Sequence, residues 1–338
     1  MNTRWKRRAA LMLAWVLAWM LAPAHAADIE AQSRALQRAS DAVLGVTARA
    51  VPDARSIATL GPQRQGSGVV IGEDGLVLTI GYLILEAESV VLLTDDGREV
   101  PATVVAYDVA TGFGLLRPLT PLRLAPVPLG RSGTLSSEEP LVVVSGGEEG
   151  AVSGARLVSR RGFSGNWEYH IDGALYTAPA RRDHSGAGLF NGRGELVGIG
   201  SLWMADVRGD GSARLSGNLF VPVDLLTPVL AEMRARGASR ASERAWVGLQ
   251  CAETGSGLRV LRVNPDSPAD VAGVEAGDTI ERIDGTAVVT LEAFYKTLWA
   301  GGPPERDVTL SVLRAGQPVE LTVRTVDRMK TFRRSQGL

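Results

Sequence analysis

The chain repeatedly reads as a short apolar run, a tight Gly-containing turn and another apolar run. Gly68 to Gly72 leads through Glu73-Asp74-Gly75 into Leu76 to Thr79. Ser89 to Thr94, the turn Asp95-Asp96-Gly97 and Glu99 to Tyr107 repeat the form. Leu115-Leu116 and Leu141 to Val144 continue it, and Leu189-Phe190, Asn191-Gly192-Arg193-Gly194 and Leu196 to Ile199 make a further hairpin. Such turns supply the left-handed backbone that hairpins require. Strands at these short intervals specify a closed barrel or a sandwich rather than parallel strand–helix–strand units. The expected fold class is therefore mostly β. At 338 residues, with 45% hydrophobic and 22% charged residues, the chain has room for two or three globular domains.

Around this core the pattern changes. Ile29 to Ala42 has helical spacing and Val43 to Ala50 alternates like a strand, while Val51 to Gln65 reads as a loop. Val221 to Arg234 is expected to be a closing helix, with Leu225, Leu226, Val229 and Leu230 on one face. Gly237 to Arg244 is small and charged and reads as a linker. A second unit of strands and short helices begins at Ala245, with Thr290 as the N-cap of a helix Leu291 to Ala300. The predicted boundaries are 1–26 for a leader, 27–236 for the β domain, 237–244 for the linker, 245–327 for a small α+β domain and 328–338 for a disordered basic tail.

The leader is read from Arg4, Lys6, Arg7 and Arg8, the apolar run Ala9 to Ala22, and Ala24-His25-Ala26 as a cleavage site. The run is short for a membrane span, which needs roughly 20 apolar residues. Cleavage after Ala26 and export are expected; an uncleaved N-terminal anchor is the alternative. Cleavage removes four basic residues and no acidic one, which takes the formal charge from −1 to −5. That balance argues against nucleic acid or anionic lipid as the main partner. Cys251 is the single cysteine, so no internal disulfide can form. No Cys/His set has metal-ligand spacing, and neither a metal nor a cofactor is expected. His170, in Trp167-Glu168-Tyr169-His170-Ile171, reads as a structural histidine.

Four further stretches carry a resemblance. Gln65-Gly66-Ser67-Gly68 is followed by Leu78-Thr79, and Asp108 by Thr111 and Leu115-Leu116. Asp183-His184-Ser185-Gly186 precedes Leu189-Phe190-Asn191 and Gly194 to Ile199, and Asn218 to Pro222 leads to the closing helix. In this order, over residues 32–327, they resemble the HtrA/Deg family, a trypsin-like double β-barrel followed by one PDZ domain. The resemblance implies a nucleophile at Ser185, a Gram-negative periplasmic location, and assembly into trimers or with an active HtrA relative.

The departures from the family pattern suggest an inert site. Where the family places its catalytic His the chain has Tyr82, and where it places its Asp the chain has Gly112. Asp183 replaces the Gly two residues before the serine. A serine hydroxyl needs an adjacent base, and a phenol with a pKa near 10 is a poor one at pH 7. The expectation is a catalytically degenerate chain, a pseudoprotease acting as scaffold or regulator in envelope protein quality control. The alternative is an active serine endopeptidase using Ser185 with a non-standard base. For the second domain, Trp246-Val247-Gly248-Leu249 resembles a PDZ carboxylate-binding loop, whose backbone N–H groups capture a chain terminus while the peptide adds as a strand. Phe294 and Leu298 would line its pocket, and hydrophobic C-termini of envelope proteins are the expected ligands.

Overall fold

The computed structural model describes residues 30–333 apart from residues 138, 149, 210 and 256. The expected leader and its cleavage site lie outside the described residues. Residues 30–41 form helix α1. Six strands follow: β1 (Val43–Ala50), β2 (Gln63–Val70), β3 (Val77–Ile80), β4 (Ala87–Leu93), β5 (Glu99–Tyr107) and β6 (Phe113–Pro118). They close into a barrel in the order β1-β2-β3-β6-β5-β4. Two single-turn helices, α2 (Ile57–Leu60) and α3 (Gly81–Ile84), interrupt the strands. A second barrel runs β10-β11-β12-β9-β8-β7. Its strands are β7 (Pro140–Val144), β8 (Val152–Gly165), β9 (Tyr169–Ala178), β10 (Gly188–Asn191), β11 (Leu196–Met204) and β12 (Gly217–Pro222). Closure leaves neither sheet with an unpaired edge. One apolar cluster, including Leu78, Ile80, Phe113, Phe190 and Val221, runs through both barrels.

The closing helix is shorter than its sequence suggests. β12 continues to Pro222, a 3₁₀ turn covers Val223–Leu225, and α4 begins only at Leu230 and ends at Arg236. Pro228 explains the delay: it lacks an N–H and pushes Thr227 away from helical backbone. Gly237 ends α4 in a left-handed conformation, its N–H donating to the Met233 carbonyl.

The expected linker is fastened down. Asp108 is fully buried, and its Oδ1 accepts from the Ser239 N–H at 2.8 Å and the Ser242 hydroxyl at 2.6 Å. Its Oδ2 accepts from the Thr111 N–H at 3.0 Å and the Thr111 hydroxyl at 2.6 Å. One carboxylate thus ties the exit of the double barrel to the first barrel.

The C-terminal unit is an α+β domain. β13 (Ala245–Trp246) pairs with β20 (Val326–Asp327). The main sheet runs β14 (Leu249–Thr254), β15 (Gly257–Val263), β16 (Thr279–Ile283), β18 (Asp307–Arg314) and β19 (Gln317–Arg324), with β17 (Thr286–Ala287) against β16. Helix α5 (Pro268–Val271) is capped by Ser267 and α6 (Leu291–Ala300) by Thr290, each side chain accepting a backbone N–H of the first turn. β14 stands at the sheet edge and α6 packs beside it.

Residues 328–333, which fall in the expected disordered tail, pack against the rest of the chain. Asp327 caps a 3₁₀ turn at Arg328–Thr331, Phe332 meets the Tyr107 ring edge-on at 5.5 Å, and the Arg333 N–H donates to Glu86 at 2.8 Å. Aromatic burial against the first barrel anchors what composition alone marks as a solvated segment. Among the described residues no helix is long and apolar enough to cross a membrane.

Candidate functional site

Ser185 sits on the loop entering β10. Gly186 has φ +75°, and a Cβ there would lie 2.0 Å from the Ser67 carbonyl oxygen. The Ser67 N–H donates to the Ser185 carbonyl at 2.8 Å, which locks the loop onto β2. Tyr82, on α3, brings its Oη to 2.7 Å from both Ser185 Oγ and the Ser201 carbonyl oxygen. A carbonyl can only accept, so the phenol hydrogen goes to Ser201 and the Ser185 hydroxyl donates to Tyr82. Burial pushes the Tyr82 phenol up to about 12, with the Ser185 bond pulling weakly the other way. Ser185 therefore faces a neutral phenol across the physiological range.

Gly112, at φ +81°, has its side-chain space filled: an added Cβ would lie 2.5 Å from Tyr169 Oη. That phenol donates to the Thr111 carbonyl at 2.8 Å. Gly112→Asp would combine left-handed strain with overpacking, and a loss of about 3 kcal/mol is expected, read as a lowered urea midpoint.

The neighbouring charged residues turn away from Ser185. Arg181 Nε donates to Asp183 Oδ1 at 3.0 Å, and Arg181 Nη2 and Ser145 Oγ both bond Asp183 Oδ2. Burial raises the Asp183 carboxyl, but these partners outweigh it and hold it below the ordinary range. His184 Nδ1 donates to the Arg181 carbonyl at 3.0 Å, and burial lowers its pKa.

A Ser–His–Asp set stands elsewhere, on the β8–β9 hairpin. Ser164 and His170 are directly opposed across the strand pair. Ser164 Oγ lies 2.8 Å from His170 Nδ1, and His170 Nε2 lies 3.2 Å from Asp172 Oδ1 and 3.8 Å from Glu292 Oε1. A tautomer with the proton on Nε2 satisfies both contacts. Nε2–H then donates to Asp172, and the Nδ1 lone pair accepts the Ser164 hydroxyl. That is the donor–acceptor order a serine nucleophile and its base require, with the two ring nitrogens exchanged relative to the trypsin-like arrangement. The His170 side chain is 4% exposed and that of Asp172 is 73% exposed. Burial raises the Asp172 carboxyl, but hydrogen bonds from His170 and from Lys296 at 3.2 Å outweigh it, so Asp172 stays ionised.

This set corrects the expectation of a degenerate chain. The pseudoprotease reading, with Ser185 as a remnant nucleophile, rests on Tyr82 and Gly112 standing at the family positions of its partners, and a second serine here has a histidine in reach. Ser164, His170 and Asp172 are such a group, with His170 hydrogen-bonded between the other two. The signal was present: His170 and Asp172 are two apart on a strand and share a face, and Ser164 faces them across a short turn. Cross-strand registry is what the sequence does not print. His170, Asp172 and Glu292 also bring one ligand atom each within 4.8 Å of one another.

In the second domain the segment Trp246 to Leu249 packs against Ser267 and Glu168. Gly248 has φ +90°, and a Cβ there would lie 2.3 Å from that of Ser267. The N–H groups of Val247, Gly248 and Leu249 converge on one carboxylate, that of Glu168, at 3.1, 2.6 and 2.9 Å. Trp246, Val247, Leu249, Phe294 and Leu298 are all buried, and all but Trp246 belong to one apolar cluster.

Residues 66–199 match the family profile described as a trypsin-like peptidase domain, and residues 245–325 match that of a PDZ domain. The chain is 26% identical over 277 residues to a "Probable periplasmic serine endoprotease DegP-like" of Halomonas elongata, covering 78% of this chain and 56% of that protein. The protein of the same description from Ectopseudomonas mendocina is 27% identical over 275 residues, 77% of this chain and 56% of its own. The chain thus spans about half the length of these relatives. The "Serine endoprotease DegS" of Haemophilus influenzae is 26% identical over 88% of this chain and 87% of its own. Among solved structures, the HtrA-type protease AlgW with decapeptide matches with TM-score 0.55 at 21% identity, over 88% of this chain and 98% of that one. The serine endoprotease from Yersinia pestis matches with TM-score 0.54 at 22% identity, over 88% and 97%. At these identities the structural matches show the fold.

Proposed function

We propose that this chain is a serine hydrolase acting on protein substrates, with Ser164 as nucleophile, His170 as general base and Asp172 orienting the imidazole. The observation that carries the reading is the 2.8 Å contact between Ser164 Oγ and His170 Nδ1, continued by the 3.2 Å contact to Asp172. His170 takes the hydroxyl proton as Ser164 attacks a carbonyl carbon, and the imidazolium that forms faces two carboxylates, Asp172 and Glu292. It then returns the proton to the leaving amine. Lys296 bonds both carboxylates, at 3.2 and 2.7 Å, and fixes them beside the ring.

The similarity to serine endoproteases supports a peptide bond as the substrate class. Residues 245–327 serve as a PDZ domain whose carboxylate-binding loop, Trp246 to Leu249, takes hydrophobic protein C-termini, with Phe294 and Leu298 beside the pocket. The periplasm is the proposed compartment, by likeness to the periplasmic relatives and from the leader.

Cleavage of reduced, unfolded casein by the purified chain tests the hydrolytic reading. Ser164→Ala abolishes it and Ser185→Ala leaves it within about twofold, the ordinary outcome for a hydroxyl outside the reacting group. Activity that survives Ser164→Ala and disappears in Ser185→Ala moves the nucleophile. Absence of cleavage in the wild type removes the assignment.

A further inference from the structure

Glu168 is a charged residue buried where the hydrolytic reading gives it no task. It occupies the turn of the β8–β9 hairpin at φ +60°, a left-handed conformation uncommon for a side chain of this kind. It is 3% exposed, and both its oxygens are used: Oε1 accepts from the N–H groups of Gly248 and Leu249, and Oε2 from that of Val247. Burial pushes its carboxyl up, while Arg328 and the three N–H donors pull the other way.

We infer that Glu168 is an internal occupant of the PDZ carboxylate-binding loop, and that a peptide with a free C-terminal carboxylate binds only by displacing it. The inference rests on the peptide-binding part of the proposed function. Three consecutive backbone N–H groups are the donor set for a chain-terminal carboxylate, and here they are already taken by a carboxylate from the other domain. A second carboxylate would find no free donor and would meet a like charge at close range. Beside the loop, the strand that an added peptide would pair with, β14, still has an unpaired edge among the described residues. The carboxylate position is filled, while no strand pairs with the outer edge of β14 among the described residues.

The contacts holding the hairpin turn are few and separable. The Glu168 N–H donates to Tyr295 Oη at 3.3 Å, and the Tyr295 hydroxyl donates to the Gly165 carbonyl at 2.8 Å. Nearby, Lys296 reaches Asp172 from the exposed face of α6. An internal competitor lowers apparent affinity by the fraction of molecules in which the site is free, and a tethered group acts at millimolar effective concentration or above. Removing it should tighten peptide binding at least tenfold.

The probe is a pool of fluorescein-labelled decapeptides, randomised at the last three positions with a free carboxylate, and the same pool as C-terminal amides. Fluorescence polarisation is read with the full chain, with Glu168→Ala and with the equal-volume Glu168→Gln. The half-saturation concentration of the acid pool falls at least tenfold in the variants, and that of the amide pool does not change. Equal affinity of wild type and variants for the acid pool, or an equal gain for the amides, overturns the internal occupant and leaves peptide binding standing. No binding of the acid pool by any of the proteins removes both. Circular dichroism checks that the variants are folded. In the wild type, saturation with the acid pool should speed amide exchange across residues 165–169; unchanged exchange at saturation contradicts displacement.

Discussion

His170→Ala is expected to lower turnover on unfolded casein by a factor on the order of 10⁶, the cost of removing the base from a serine hydrolase of this logic. The imidazole is the sole group hydrogen-bonded to Ser164 Oγ among the described residues. Without it the hydroxyl keeps its proton at neutral pH. Asp172→Asn should cost less than the roughly 10⁴ seen when a triad acid is lost from a buried site. Asp172 is largely exposed, and Glu292 Oε1 stands 3.8 Å from the same ring nitrogen and can stabilise the imidazolium in its place. The double variant Asp172→Asn, Glu292→Gln should fall further than either single change. Initial rates at saturating casein separate these cases.

Asp108→Ala should destabilise the chain by about 3–5 kcal/mol, the range for removing one partner from a buried charged network. The carboxylate accepts from four donors on two segments. Truncation leaves the N–H groups of Thr111 and Ser239 without an acceptor inside the protein. Burial raises the Asp108 carboxyl, but bonds from Ser239, Ser242 and Thr111 outweigh it and hold the group below the ordinary carboxylate range. A depressed folded value means that the stabilisation is present above about pH 4 and is lost as the pH falls below it. Chemical denaturation of wild type and variant at pH 7 and pH 3 gives both numbers, and the gap between the two proteins should shrink at pH 3.

The barrels were legible because their information is local. Each hairpin carries its own turn residues and its own alternation, and the register of β10 on β11 or of β18 on β19 needs little more. The capped helices α5 and α6 were likewise readable from Ser267-Pro268 and Thr290. The closing helix was misread because its apolar spacing runs through Pro228, and a proline outweighs a favourable face. The stretch around Ser185 was legible from its residues, and its surroundings were not. Tyr82 meets it from a residue more than a hundred positions away, and Tyr169 fills the space beside Gly112 from the other barrel. The Ser164–His170–Asp172 set was missed for a related reason. Family positions point to Ser185, whereas this group is assembled by strand registry and is flanked by Glu292 and Lys296 from a separate domain. The bonds from the Val247, Gly248 and Leu249 N–H groups to Glu168 run between domains, which no local pattern announces.

The most direct measurement is the site of covalent capture by a fluorophosphonate, mapped by mass spectrometry of the digested full chain. The account predicts a single adduct on Ser164 that disappears in His170→Ala. An adduct on Ser185, or no adduct on either serine, would contradict it.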